Sequence, residues 1–138
     1  MTLKKNWIVS LIILINSTAS AQVIGDYQSK ASGDWADDSM WQIYNGTSWV
    51  DSSIVPTGSS CTITIRSADT ITIGVALTIS NGTSVIVNGF LKITGGGITA
   101  PTSVPAFSFN SGGTYEHAMN AGSIPVANWN TGSTCLIT

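Results

Sequence analysis

An all-β fold, wound as a parallel β-helix, is what the sequence predicts, and three observations carry that expectation. From Cys61 onward aliphatic residues recur with period two in short pairs, Ile63/Ile65, Ile71/Ile73, Leu77/Ile79, Val85/Val87 and Leu91/Ile93. Each pair places its two side chains on one face of a strand. The connections between pairs are short and polar, as in Arg66-Ser67-Ala68-Asp69, Ser80-Asn81-Gly82-Thr83 and Asn88-Gly89, and no helical period appears after the first segment. The third observation is spacing. Ile63 to Val85 and Ile71 to Leu91 are each separated by roughly 20 to 22 residues, the length of one coil in a repeat architecture. Strands of four or five residues with two inward aliphatics can line a narrow coil one rung at a time. The alternative is an antiparallel β-sandwich with strands every 8–12 residues or so.

In chain order, the first element is a leader. Lys4 and Lys5 precede the apolar run from Trp7 to Ile15, and the small residues Ser17 to Ala21 follow. This is the pattern of a cleavable secretory signal peptide, with Ala19-Ser20-Ala21 placing the mature start at Gln22. The apolar run is roughly 9 residues where a membrane span needs about 20. No other stretch is long and apolar enough to span a bilayer, and no cysteine follows the run to take a lipid. Residues 1–21 are therefore expected to be the leader, with export following from it.

Residues 22–57 form a second region, rich in aromatics: Tyr27, Trp35, Trp41, Tyr44 and Trp49. Met40 to Tyr44, then Asn45-Gly46, then Thr47 to Val50, predicts a β-hairpin, because Asn-Gly suits the two positive-φ positions of a type I′ turn. A two-residue turn pairs Tyr44 with Thr47, Gln42 with Trp49 and Met40 with Asp51 on one face, and Ile43 with Ser48 and Trp41 with Val50 on the other. The Trp41 face, with its two aliphatics, is expected to cover the open end of the aliphatic core. The Trp49 face is the polar one.

Residues 58–138 are expected to be the coils. After Gly95-Gly96-Gly97 and Pro101 the strand pattern resumes at Ala106 to Phe109, at Gly112 to Tyr115 and at Ser133 to Thr138. The last run alternates up to the final residue, which suggests the N-terminal piece of a longer protein, since solenoid ends are normally covered.

Charge and cysteine usage bound the partners. The whole chain carries five Lys and Arg against seven Asp and Glu, and two of the five cations lie in the leader. The mature domain is acidic, which argues against nucleic acid, whose binding needs a cationic surface. Cys61 and Cys135 match no zinc spacing. Export permits a disulfide between them, and two buried thiols are the equal alternative.

Several residues resemble the N-terminal region of large surface β-helix proteins from bacteria that use type IX secretion. They are Gly25-Asp26-Tyr27, Ser32-Gly33-Asp34-Trp35, Trp41, Trp49, Pro56, Ile63 to Arg66, Tyr115-Glu116-His117, Ile124-Pro125 and Trp129 to Cys135. The resemblance implies a right-handed parallel β-helix of the pectin-lyase type, at times an adhesin, in a longer chain with a C-terminal sorting domain. A more distant similarity is to the eight-glycine domain associated with hyaluronan-binding proteins.

No catalytic constellation emerges. A polysaccharide lyase needs a base and a group that neutralises a uronate. Glu116 and His117 are adjacent, so on one strand they face opposite ways. Asp34, Asp37 and Asp38 read as an exposed turn more readily than as a calcium site or a glycosidase pair. There is no Gly-x-Ser-x-Gly elbow, and Gly95 to Gly97 opens no helix. No metal or other cofactor motif is present. The most suggestive site is the hairpin, where Tyr44, Trp49 and Gln42 offer aromatic faces beside an amide, the chemistry that suits sugar rings. The expected function is a secreted or cell-surface structural and binding module for adhesion or glycan contact. The competing class is the first segment of a polysaccharide-degrading β-helix enzyme with its active residues beyond Thr138.

Overall fold

The computed structural model describes residues 21–57, 60–102 and 105–138. The leader expected at residues 1–21 lies, but for Ala21, outside the described residues. Among the described residues, fourteen short strands and one 3₁₀ turn, Asp38–Met40, make up the regular structure. The strands are β1 (Tyr27–Ser29), β2 (Gly33–Asp34), β3 (Trp41–Tyr44), β4 (Trp49–Asp51), β5 (Thr62–Ile65), β6 (Thr70–Ile73) and β7 (Leu77–Thr78). They continue as β8 (Ser84–Val87), β9 (Phe90–Ile93), β10 (Ile98–Thr99), β11 (Phe107–Phe109), β12 (Thr114–His117), β13 (Ala127–Trp129) and β14 (Thr134–Ile137).

These strands wind as a β-solenoid of about three turns. One sheet stacks β1, β5, β8, β11 and β13 in parallel; a second stacks β2, β6, β9, β12 and β14; a short third pairs β7 with β10. The expected coil register is present: Ile63 pairs with Val85 and Ile71 with Leu91. The next coil continues it, with Phe107 on Val85 and Tyr115 on Leu91. The antiparallel sandwich is thereby excluded.

The core is the inward row of every strand. Ile63, Ile65, Ile71, Ile73, Val85, Val87, Leu91 and Ile93 are buried, with Ile79 beside them, and Leu77 packs half-buried against the cluster. In the third coil Phe107, Phe109 and Tyr115 replace the aliphatics, and Phe109 meets Tyr115 edge-on at 5.8 Å. The core then tapers: Trp129 stacks almost parallel on Phe109 at 4.4 Å yet is 40% exposed, and Ile137 is exposed. The two cysteines fall on different sheets, Cys61 just before β5 and Cys135 in β14, and no disulfide joins them.

Turns between the first two sheets bring the backbone of successive coils very close. A Cβ on Gly89 would lie 2.2 Å from the Arg66 carbonyl oxygen, and one on Gly113 would lie 2.2 Å from that of Val87. Only glycine fits there. The same corner carries an asparagine ladder, in which Asn110 Nδ2 donates to Asn88 Oδ1 at 2.8 Å and Asn130 Nδ2 to Asn110 Oδ1 at 2.8 Å.

At the other end the hairpin caps the solenoid. β3 runs antiparallel to β1, and β4 to β3, so the hairpin extends the first sheet past its first coil. Trp41 is fully buried, its indole Nε1 donating to the Trp35 carbonyl at 3.0 Å, and the two rings meet edge-on at 4.9 Å. Trp35, also buried, donates from Nε1 to the Pro56 carbonyl at 3.2 Å. Each indole thus spends its polar atom inside the cap, which makes burial of a large aromatic favourable.

The hairpin register differs from the expectation. Tyr44 pairs with Trp49, Ile43 with Val50 and Gln42 with Asp51, two residues beyond the Asn45-Gly46 two-residue turn. The cause is local. Only Gly46 of the pair has positive φ, at 96°, so a type I′ turn does not form. Asn45 Oδ1 instead accepts from the N–H groups of Thr47 and Ser48, both at 2.9 Å, closing a four-residue loop. A slip of two residues preserves the faces, so Trp41 still points inward.

A buried polar clamp fastens cap to coil. Ser29 Oγ donates to Asp69 Oδ2 at 2.5 Å and accepts from the Arg66 N–H at 2.9 Å, while Arg66 Nε donates to Asp69 Oδ2 at 2.9 Å. Ser29 is fully buried and Asp69 nearly so. Arg66 also reaches the Lys30 carbonyl.

Two stability predictions follow from this packing. Ile73→Asp buries an unpaired carboxylate, a cost of several kcal/mol against a total stability of about 5–15 kcal/mol, so circular dichroism should show the variant unfolded at room temperature. Trp41→Ala should lower the free energy of unfolding by about 3–5 kcal/mol in denaturant titration, the range for deleting a buried large aromatic.

Candidate functional site

The outward face of the first sheet is where the hairpin residues gather. Side chains alternate along each strand, so the register aligns Asp51, Gln42, Gln28, Thr64, Ile86, Ser108 and Asn128 in one row across the sheet. A groove of about 320 Å³ opens on this face, with Trp49 at one end and Gln28, Thr64, Ile86, Asn88 and Asn110 along it. Asp26 and Thr62 lie at its edge, and Ala21 and Gln22 also border it.

Of the three residues expected to bind, Trp49 alone lines the groove. Tyr44 is its cross-strand partner, with ring centroids 5.4 Å apart and the planes tilted by 55°, so it holds the indole in place from the side. Gln42 is committed within the sheet: its Oε1 accepts from Gln28 Nε2 at 3.0 Å and its Nε2 donates to Asp51 Oδ1 at 3.4 Å. Gln42 therefore orients Gln28, which does line the groove. Asp51 is held in turn by Lys30 at 2.7 Å, and the hydrogen bonds from Lys30 and then Gln42 keep its carboxyl below the usual range.

Asp26 has a structural role. Its carboxylate accepts from the Val23 N–H at 2.7 Å and the Thr62 N–H at 2.8 Å, tying the chain before β1 to the start of β5. The groove lining contains one buried acid and no Lys or Arg. Its polar chemistry is that of hydroxyls and amides beside an indole, with the Gln28, Asn88 and Asn110 amides each already making a side-chain hydrogen bond.

Sequence reading missed Gln28, Thr64, Asn88 and Asn110. The signal was available for two of them. Asn88 and Asn110 follow Val87 and Phe109, which share one register, so they recur at the coil spacing already read from the aliphatics.

The acid and base candidates do not converge on the groove. Glu116 faces outward and is paired with Lys92 at 3.2 Å, whereas His117 is buried, as strand alternation requires. His117 Nε2 lies 3.0 Å from the Ala121 carbonyl, an acceptor only, so Nε2 bears a proton; in the neutral ring Nδ1 accepts from the Tyr115 hydroxyl at 3.0 Å. Asp34, Asp37 and Asp38 form a turn: Asp34 Oδ1 accepts from the Ala36 N–H at 2.7 Å and Asp37 Oδ1 from the Ser39 N–H at 2.9 Å. Among the described residues no group of three or more His, Cys, Asp or Glu could hold a metal ion. No helix among them is long and apolar enough to cross a membrane.

Comparison with models of protein families, with curated proteins and with solved structures finds no match to this chain.

Burial, and after it the nearby Cys135, pushes the Tyr115 hydroxyl up to about 12 from an ordinary value of 10.0. Burial raises Tyr27 as well. A phenol that ionises later in the folded than in the unfolded state stabilises the fold fully below the unfolded value and loses that contribution as pH rises towards the folded one. Denaturant midpoints should therefore hold steady up to pH 10 and fall between 10 and about 12. Tyr115→Phe should flatten that decline when the titration is repeated.

Proposed function

We propose that this chain is an exported binding module that contacts neutral glycan through the groove on its first sheet. In this reading it is the N-terminal cap and first coils of a larger right-handed β-helix protein of the kind found in type IX secretion bacteria. The observation that carries the glycan reading is the combination in one groove of a restrained indole with a row of amides and hydroxyls. Apolar sugar faces pack on such a ring, while hydroxyls exchange hydrogen bonds with Gln28, Thr64, Asn88 and Asn110. The lining has no Lys or Arg side chain to pair with a carboxylate, which favours neutral over uronate-bearing polymers except at the border, where cleavage would leave the Gln22 α-ammonium. Cleavage after Ala21 would remove a residue that borders the groove, so export and an open site go together.

Affinity electrophoresis through gels cast with neutral and acidic polysaccharides tests this. The wild type should be retarded by a neutral polymer, and Trp49→Ala should run unretarded while its unfolding free energy falls by less than that of Trp41→Ala. Absence of retardation with every polymer, together with equal destabilisation of the two variants, would reduce the hairpin to a cap.

A further inference from the structure

A second cavity, of about 400 Å³, lies between the Pro56 segment and the strand β7, and it shares no lining residue with the glycan groove. Its walls are mostly apolar, with Val55 and Pro56 on one side and Val75, Ala76 and Leu77 on the other, and Thr57, Thr78 and Ser80 add hydroxyls. The Pro56 wall is fixed, because the buried Trp35 indole donates to its carbonyl at 3.2 Å. The volume falls within the range of preformed small-molecule sites, roughly 300–1,000 Å³. At its rim stands Asp34. One carboxylate oxygen, Oδ1, is used by the Ala36 N–H at 2.7 Å; Oδ2 accepts no hydrogen bond from the described residues and lies 3.5 Å from where a Cβ on Gly74 would stand.

The pairing of charges sets this rim apart. The cations of the described residues are all committed, Lys30 to Asp51, Arg66 to Asp69 and Lys92 to Glu116, at 2.7, 2.9 and 3.2 Å. Asp26 is buried on two backbone N–H groups. The remaining carboxylates are Asp34, Asp37 and Asp38, and the second and third line a cleft that shares Ala36, Val55 and Thr57 with the cavity. Asp34 thus stands at the edge of the apolar trough as a carboxylate that no cation offsets, with Asp37 and Asp38 on the adjoining cleft. A single carboxylate oxygen beside apolar walls complements a cation that carries an apolar body.

We infer that this cavity binds a small amphipathic cation, a primary amine or guanidine whose apolar body fills the Val55–Leu77 trough while its charged head bonds to Asp34 Oδ2. The site is independent of the glycan reading and stands or falls separately.

Titration of the mature protein with hexylamine, hexanol and hexanoate at pH 7, followed by amide chemical shifts, tests it. Hexylammonium should move the Val75, Ala76 and Leu77 amides and bind about three- to fivefold more tightly than hexanol, the gain from an exposed ion pair. Hexanoate should bind more weakly than either. Asp34→Asn should reduce the amine to the level of the alcohol. Gly74 has no positive φ, so Gly74→Leu can fold without backbone strain and should block all three probes with the charge intact. Equal affinity for amine and alcohol, an amine affinity unchanged in Asp34→Asn, or no shift with any probe would overturn the assignment.

Discussion

Vertical registration of inward side chains from coil to coil is the constraint on which the other features of this protein depend. A parallel coil has no tight hairpin to fix its register, so the side chains must do it. Here Ile63, Val85 and Phe107 stand in one column and Ile71, Leu91 and Tyr115 in another. A slip of one residue would turn every such side chain to solvent, forfeiting about 1.5–3 kcal/mol for each large one. The corner between the two sheets enforces the same alignment, because Gly89 and Gly113 let successive coils approach and Asn88, Asn110 and Asn130 bond to one another only when stacked in step.

A stack of this kind leaves an open strand edge, and the cap shows how one end is closed. β3 and β4 reverse direction and cover the edge of β1, while Trp41 and Trp35 fill the end of the core. The attachment is polar as well as apolar. Ser29 and Asp69 bond to each other in a buried setting between β1 and the first corner, and the half-exposed Arg66 bonds to both. Removal of Ser29 or Asp69 would leave the other buried and short of one hydrogen bond, which costs more than the bond itself contributes. The same hairpin that closes the core turns its other face outward, and there the Tyr44–Trp49 pair meets the amides of the coils. Cap and groove are two faces of one element.

Much of this was legible in the residues. Period-two aliphatics with a coil-length spacing specified strands, their inward faces and the Ile63–Val85 and Ile71–Leu91 columns, because burial leaves a direct mark on hydrophobic pattern. The burial of Trp41 followed from its aliphatic neighbours. The hairpin register was misread by two residues, since the choice between a type I′ turn and a loop closed by the Asn45 side chain depends on local hydrogen bonding that Asn-Gly alone does not decide. Gln42 was read as a binding group, yet its amide is spent on Gln28 and Asp51, a cross-strand relation that needs the register of three strands. The Ser29–Asp69 contact, across 40 residues, left no trace in local sequence.

Chemistry on the surface follows from the same geometry. Alternation sends one residue of each inward pair's neighbours outward, so a coil that builds a core also builds an outer row, and the amide-rich groove and the apolar cavity near Trp35 occupy separate stretches of that exterior. Both depend on the coils being parallel and in step. The most direct test is a nuclear Overhauser map of the protein from Gln22 onward in solution with labelled isoleucine, leucine and valine methyls. Close contacts from Ile63 to Val85 and from Ile71 to Leu91, with parallel-type backbone contacts between β5 and β8, are the predicted result. Antiparallel Hα–Hα contacts between β5 and β6, with no Ile63–Val85 contact, would contradict the account at its root.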